Sequence, residues 1–294
     1  MAKVFGINTK IRGKVGEYIY RQTRTGTVVS EAPVKPITPL RTQRQMSIRT
    51  QWANLGAIYK QFDSMLRRGF EELPPHMSVY NAFIQANLGV VKVYITKRMK
   101  LNGGAILAPY QITRGSLPSI SMAKNASNIL VSGIRLGSLA IDANTTVGQF
   151  SQAVIDNNTS FLEGDQLTFF HGIQSIDTVT RTPRATIRGY KVVLSTAEDT
   201  KLWDVVDRIG FSVTDNCLAT SQQITNGAAV WVHSRETADG ALKVSTQLFF
   251  VENSALATYQ GRTAFTAAAN SYGGINSAAV YLQPEVVGLD PVTP

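Results

Sequence analysis

Gly13-Lys14, behind Gly6 and ahead of an apolar run, is the pair that a phosphate-binding loop would use. Such a loop places four residues between its first glycine and the Gly-Lys pair. It then needs Ser or Thr to hold magnesium, and a helix whose first amides face the phosphates. Here six residues separate Gly6 from Gly13, Val15 stands at the hydroxyl position, and "EYIYRQ" is aromatic and β-branched, which reads as a strand. The pair therefore belongs to a basic hairpin. Glu163 and Asp165, with Gly164 between them, would suit acid–base work or calcium. Neither the ligand count of a calcium loop nor a second carboxylate cluster accompanies them, so the stretch reads as a tight turn before a strand. Asp204 and Asp207 stand three apart, the spacing at which carboxylates support Arg208 or Lys201 in a short helix. His76, His171 and His233 are scattered without ligand spacing, and read as one loop and two strand histidines. The single Cys217 leaves no internal disulfide and no cysteine metal cluster. With no nucleophile elbow, zinc-protease helix or dinucleotide fingerprint either, the residues predict no enzyme, no catalytic residue, no metal, no cofactor and no small-molecule substrate.

Charge is more informative. Residues 1–100 carry 17 Lys and Arg against 5 Asp and Glu, whereas residues 101–294 carry 12 against 15. This asymmetry predicts an acidic partner for the N-terminal part, either nucleic acid or the acidic face of a protein. The plain alternative is a solvated basic surface. The candidate partner-binding residues are Lys14, Arg21, Arg24, Arg41, Arg44, Arg49, Lys60 and Arg67. A chain of 294 residues, 44% hydrophobic and 17% charged, is long enough for a real core and for two domains. No run of 18 apolar residues occurs and the N-terminus lacks a secretory apolar stretch, so the expectation is no membrane contact and a product that stays in the compartment where it is made.

The elements that must position these residues follow from periodicity. "EYIYRQ" and "TVVSE" around Gly26 predict a hairpin, and "APVKPITPL" an extended connector with three prolines. Thr38-Pro39 predicts the start of a helix over 39–68, with Ile48, Trp52, Leu55, Ile58, Tyr59, Phe62, Met65 and Leu66 on the buried arc. Ser78 caps a second helix, and the two pack as a helical hairpin. From residue 106 the period shortens. The predicted strands are "NILVSGI", "DQLTFFHGI", "ATIRGYKVVL", "IGFSV", "AAVWVHSR", "LKVSTQLFFV", "RTAFTAAA" and "AAVYLQPEV", with one helical turn at "TVGQFSQAVIDN". Leu167, Phe169, Val192, Phe211, Trp231 and Phe249 are the expected inner residues. The fold class is α+β: a hairpin and helical hairpin over 1–105, a mainly antiparallel, sandwich-like β domain over 106–284, and an extended tail over 285–294 that either docks on a neighbouring subunit or lies loose.

Motifs in the first part add a resemblance. Gly13-Lys14-Val15-Gly16, Pro36 and Thr38, Gln45 with Arg49, Gly69-Phe70, Tyr80-Asn81 and Arg114-Gly115-Ser116-Leu117 occur in an order and spacing similar to an uncharacterised domain family of Bacteroidota and of the phages that infect them, crAss-like phages included. The likeness covers about residues 10–120, and the ending "NSAAVYLQPEV" is similar too. The resemblance implies a non-enzymatic virion component. The expectation is a structural subunit of a phage tail or neck that assembles with copies of itself and other virion proteins in the bacterial host cytoplasm. The alternative is a nucleic-acid-binding protein using the basic N-terminal region.

Overall fold

The computed structural model describes residues 2–4, 12–23, 26–31, 41–62 and 68–276, and the chain divides into two compact units, Met1–Arg41 and Thr42–Pro294. The first, the arm, is one antiparallel sheet of β1 (Ala2–Val4), β2 (Gly13–Val15), β3 (Tyr18–Thr23) and β4 (Gly26–Glu31), in the order β1-β4-β3-β2. Gly13-Lys14 thus lies in an edge strand, and Gly26 takes the positive φ that its turn needs. The proline-rich connector, Met65, Leu66 and the C-terminal tail lie outside the described residues.

The second unit, the body, opens with α1 (Gln43–Phe62). Its cap is Thr42: the hydroxyl accepts from the Gln45 N–H at 3.1 Å, while the Gln45 side chain accepts from the Thr42 N–H. The helix therefore begins after Thr42, and Arg68 already lies in a turn, so it is shorter than the predicted 39–68. α2 (Val79–Asn87) is capped by Ser78 and packs on α1 through Tyr59 with Tyr80 and Phe62 with Phe83, as the helical hairpin predicts. The short α3 (Lys97–Leu101) leads into β5 (Gln111–Thr113). β6 (Met122–Lys124), β7 (Leu130–Arg135), α4 (Val147–Asn157), β8 (Gln166–Ile176) and β9 (Pro183–Val193) follow. Then come α5 (Leu202–Val205), β10 (Ser212–Thr214), β11 (Cys217–Ala219), β12 (Gly227–Glu236), β13 (Leu242–Val244), β14 (Gln247–Leu248), β15 (Phe250–Glu252) and α6 (Gly261–Ser271).

The sheet of β13-β12-β8-β9, with β15 on β12, is central. One face packs Phe170, Val230 and Val232 against Phe62 and Phe83 of the helices. The other packs Leu167, Phe169, Val192 and Trp231 against α4 and the second sheet, β10-β11-β7-β6. Burial on both faces explains the unbroken apolar run "AAVWV" in β12. All six expected inner residues are buried.

Three expectations are corrected. Ile48 and Trp52 are exposed, because the buried side of α1 includes the polar Thr50, Gln51 and Asn54 and so is rotated away from the apolar arc. "RTAFTAAA" is helical, consistent with its alanine content. "LKVSTQLFFV" is three short strands, since the chain leaves β12 at Ser245, pairs with β5 and then returns to β12. The two compact units meet at 41–42. Residues 105–111 are the stretch that ties helices to sheet, through side-chain amides. Asn54 accepts from the Ile106 N–H at 2.8 Å and donates to its carbonyl and to the Tyr110 hydroxyl. Asn87 bonds the Gln111 N–H and carbonyl, and Gln174 bonds the Leu107 N–H and the Ala105 carbonyl. A buried segment without a ladder must satisfy its backbone in this way.

Candidate functional site

The arm is the region whose side chains find least cover. Residues paired across an antiparallel sheet share a face, and neighbours along a strand alternate. Tyr18 pairs with Val15 and Glu31, and Tyr20 with Gly13 and Val29, so Val15, Tyr18, Tyr20 and Val29 lie on one face. Lys14 pairs with Ile19, and Arg21 with Val28, which places both cations on the other. Across residues 12–23 and 26–31 only Thr27 is buried, and Val15 and Tyr18 are 57% and 49% exposed. Lys14 and Arg21 are thus the candidate residues that the arm brings together. The aromatic face was not singled out from the sequence, although the alternation "EYIYRQ" carries it. Arg24 and Arg67 lie outside the described residues.

In the body, Arg44, Arg49 and Lys60 project from the outer side of α1; Arg41, the last residue of the first unit, is half-buried. At 100° per residue Arg49 and Lys60 share a stripe, and Arg44 stands well apart from both. Trp52, 41% exposed, lies between Arg44 and Arg49 around the helix, with its indole N–H donating to the Tyr80 hydroxyl at 2.8 Å. Arg49 also reaches the field of Tyr272, whose hydroxyl is pushed up by burial against the pull of that cation.

The motif residues behind the resemblance have structural work of their own. Phe70 bridges to Arg114, the Glu71 N–H donates to the Arg114 carbonyl at 3.0 Å, and the Arg114 guanidinium lies over the Phe70 ring. The Glu71 carboxylate accepts from the Ser116 and Val244 N–H groups. A Cβ at Gly115 would overlap that carboxylate and the Val244 carbonyl oxygen, so glycine is required by close approach. Gln45 serves the α1 cap, and the Asn81 N–H donates to the Ser78 hydroxyl that caps α2.

The carboxylates fall into two kinds. Asp165 does sit in a tight turn, with its carboxylate accepting from the Leu162 N–H, and its side chain is also buried. His233 Nε2 stands 2.7 Å from Oδ2, Arg235 donates to both oxygens at 2.6 Å, and Phe161 stacks on the imidazole. Burial alone would raise this carboxyl. The hydrogen bonds from Arg235, His233 and the Leu162 N–H outweigh it and bring Asp165 down to about 2. With both Asp165 and His233 enclosed, the cluster is a clamp between the turn before β8 and β12. Asp207, by contrast, caps the turn at Arg208 through the Ile209 N–H and accepts from the Tyr190 hydroxyl. Arg208 stacks over Trp203. Asp142 and Asp156 line an open polar cleft beside α4 with Gln149 and Gln152. The Asn144 N–H, at 2.7 Å, and Thr145 hold Asp142 below the usual carboxylate range.

Among the described residues no three His, Cys, Asp or Glu side chains gather as a metal would require, and no helix is long and apolar enough to cross a membrane. Comparison of the chain with protein-family models, with characterised proteins and with solved structures finds no match.

Proposed function

We propose that this chain is a non-enzymatic structural subunit of a bacteriophage particle, of the tail or neck, that works by assembling with copies of itself and with other virion proteins in the host cytoplasm. One observation supports the assembly reading: among the described residues the arm is one sheet, and on the face shared by Val15, Tyr18, Tyr20 and Val29 the Val15 and Tyr18 side chains are 57% and 49% exposed. A sheet gains stability by burying one face against a second layer, and a few strands without such a layer are marginal in water. A partner's surface over Val15 and Tyr18 would add that second layer. The phage setting rests on the order of the motifs over residues 10–120. Mass spectrometry of purified particles tests it: a stoichiometric chain is the expected result, and absence from every particle fraction overturns it.

A second reading, nucleic-acid binding, is favoured by the exposed Trp52 beside Arg44 and Arg49. Retention on DNA as salt is raised separates the two. Phosphate contacts release counterions, so six to ten of them lose about a thousandfold or more in affinity between 50 and 200 mM salt. A protein interface with an apolar centre weakens only modestly over that range.

A further inference from the structure

We infer that the open edge of β9 receives the C-terminal segment of the same chain, residues 281–285, as an added antiparallel strand. β9 ends the central sheet, with β8 on its one paired side. The Leu194 N–H donates to the Asp165 carbonyl at 2.7 Å and the Asp177 N–H to the Thr182 carbonyl at 2.9 Å, and both pairs continue the β8–β9 register. Hydrogen-bonded pairs recur at every second residue, so Val192, Tyr190 and Arg188 turn their backbone groups to β8. Val193, Lys191, Gly189, Ile187, Ala185 and Pro183 turn theirs outward. The Pro183 carbonyl does so, accepting from the Ala105 N–H at 2.9 Å. Ala185 and Ile187 are buried beneath the helices. From Gly189 to Val193 the edge is open: Lys191 and Val193 are exposed, and among the described residues nothing bonds the outward N–H and C=O groups of these two or of Gly189. An edge of this kind is a template for another strand.

The sheet face beside this edge carries polar groups that also lack partners. Residues paired across a sheet share a face, so Gly189, Lys191 and Val193 lie with Phe170, Thr168 and Gln166, and Ser234 pairs with Gln166. All of these but Val193 line one cavity of about 560 Å³, which reaches the edge where Gly189 has no side chain. Ser234 is only 7% exposed, yet its hydroxyl has no partner among the described residues. The same holds for the Thr168 hydroxyl, the Gln166 amide and the Lys191 ammonium. What completes this site is an extended backbone whose side chains on that face bring hydrogen-bonding groups and no cation of their own.

Residues 277–294 supply that chemistry. They contain Glu285 and Asp290 and no Lys or Arg, and "AVYLQPE" has the aromatic and branched residues that suit a strand. Pro284 fixes the placement. Proline has no N–H, so at a sheet edge it takes a position turned away from the neighbouring strand. That turns the backbone of Tyr281, Gln283 and Glu285 toward β9, opposite its outward residues, and puts their side chains on the cavity's face. A phenol, an amide and a carboxylate are thereby brought to the side of the cavity that holds Lys191. The segment is also long enough. Tyr272, just after α6, lies in the field of Arg49, and about 20 Å of α1 separates Arg49 from Phe62. Phe62 packs edge-on against Phe170, the partner of Gly189 across β8 and β9. From Tyr272 to Glu285 an extended chain spans up to about 45 Å.

The test is amide hydrogen exchange in the full chain, resolved at Gly189, Lys191 and Val193 by nuclear magnetic resonance. The three amides should exchange about a hundredfold or more slower than in an unfolded chain, at a rate independent of protein concentration. Gln283→Pro removes an N–H turned to β9 and should speed all three about tenfold or more. Leu282→Pro, on the side that already accommodates Pro284, should speed them by less than about threefold. Exchange at the unfolded-chain rate in the wild type overturns the pairing, and so do equal effects of the two proline variants. Protection that disappears on dilution overturns it in favour of a segment from a second copy. The arm takes no part in any of these outcomes, so the assembly reading stands or falls separately.

Discussion

The arm and the body are both rich in antiparallel strands, and they reach stability by different routes. In the body the central sheet is covered on both faces, and its largest side chains, Trp231, Phe62 and Phe83 among them, are fully enclosed. The arm has as many strands as the body's second sheet, yet across residues 12–23 and 26–31 it encloses only Thr27. Hydrophobic stabilisation scales with apolar area removed from water, so hydrogen-bonded strands alone do not make a stable unit. The body is built to fold by itself. The described residues of the arm enclose far less, which is the ground of the assembly reading.

This contrast predicts its largest effect in the body. Trp231 is wholly buried, packs its ring at a tilt against Phe169, and donates its indole N–H to the Gly210 carbonyl at 2.9 Å. Trp231→Ala should cost about 3–5 kcal/mol, measured by denaturant unfolding of the full chain. A loss under about 1 kcal/mol would mean that the two faces of the central sheet are not the source of stability. Asn54→Leu should cost about 3 kcal/mol, because it leaves the buried Ile106 N–H and carbonyl without their partner while keeping side-chain volume. Gly115→Ala comes next, at about 1–3 kcal/mol, since the added methyl overlaps the Val244 carbonyl and the Glu71 carboxylate.

Asn54 also shows where the sequence stops being legible. Strands whose residues are buried for being apolar, such as "DQLTFFHGI" and "AAVWVHSR", can be read from periodicity, and their inner residues with them. The α1 wheel failed at Trp52 because it counts apolar residues only, and an amide that replaces a missing sheet ladder is invisible to such a count. For the same reason residues 105–111 read as a boundary: the period changes there, while the bonds that fasten the segment come from residues 24 to 69 positions away. In the arm, the basic charge of Lys14 and Arg21 was legible, and the register puts the two on one face. The aromatic face opposite them was not, since it depends on which strands pair and in what register.

A smaller effect sharpens the comparison through pH. Asp165 is buried and lies at about 2 in the folded chain, below the ordinary 3.8. A depressed carboxyl stabilises the fold above its unfolded value, and that contribution disappears as pH falls through the folded value. The body should therefore lose about 2 kcal/mol between about pH 4 and pH 2 from this one residue. The check is a series of unfolding curves across that range. Asp165→Asn should lower stability at pH 6 and flatten the slope below pH 4. An unchanged slope would show that the Arg235 and His233 contacts do not set the carboxyl.

The smallest expected effect is the one that most directly tests the division of labour. Tyr18 and Val15 are large apolar residues on an open face, and truncating a side chain that is already in water removes little burial. Tyr18→Ala and Val15→Ala should each change the unfolding free energy of the dilute chain by less than about 0.5 kcal/mol. Removing residues 1–41 should leave the melting temperature of the body nearly where it was, since the cores that hold it together lie within Thr42–Pro294. The same truncations should be costly once the chain assembles. An aromatic ring enclosed at the centre of an interface is the kind of residue whose loss costs about 2 kcal/mol or more in binding. Equal and small losses in both assays would leave the aromatic face without a partner and remove the ground for calling the arm an assembly element. A large loss in the dilute chain would place the arm within the body's own cooperative unit, and the two regions would then differ in shape alone.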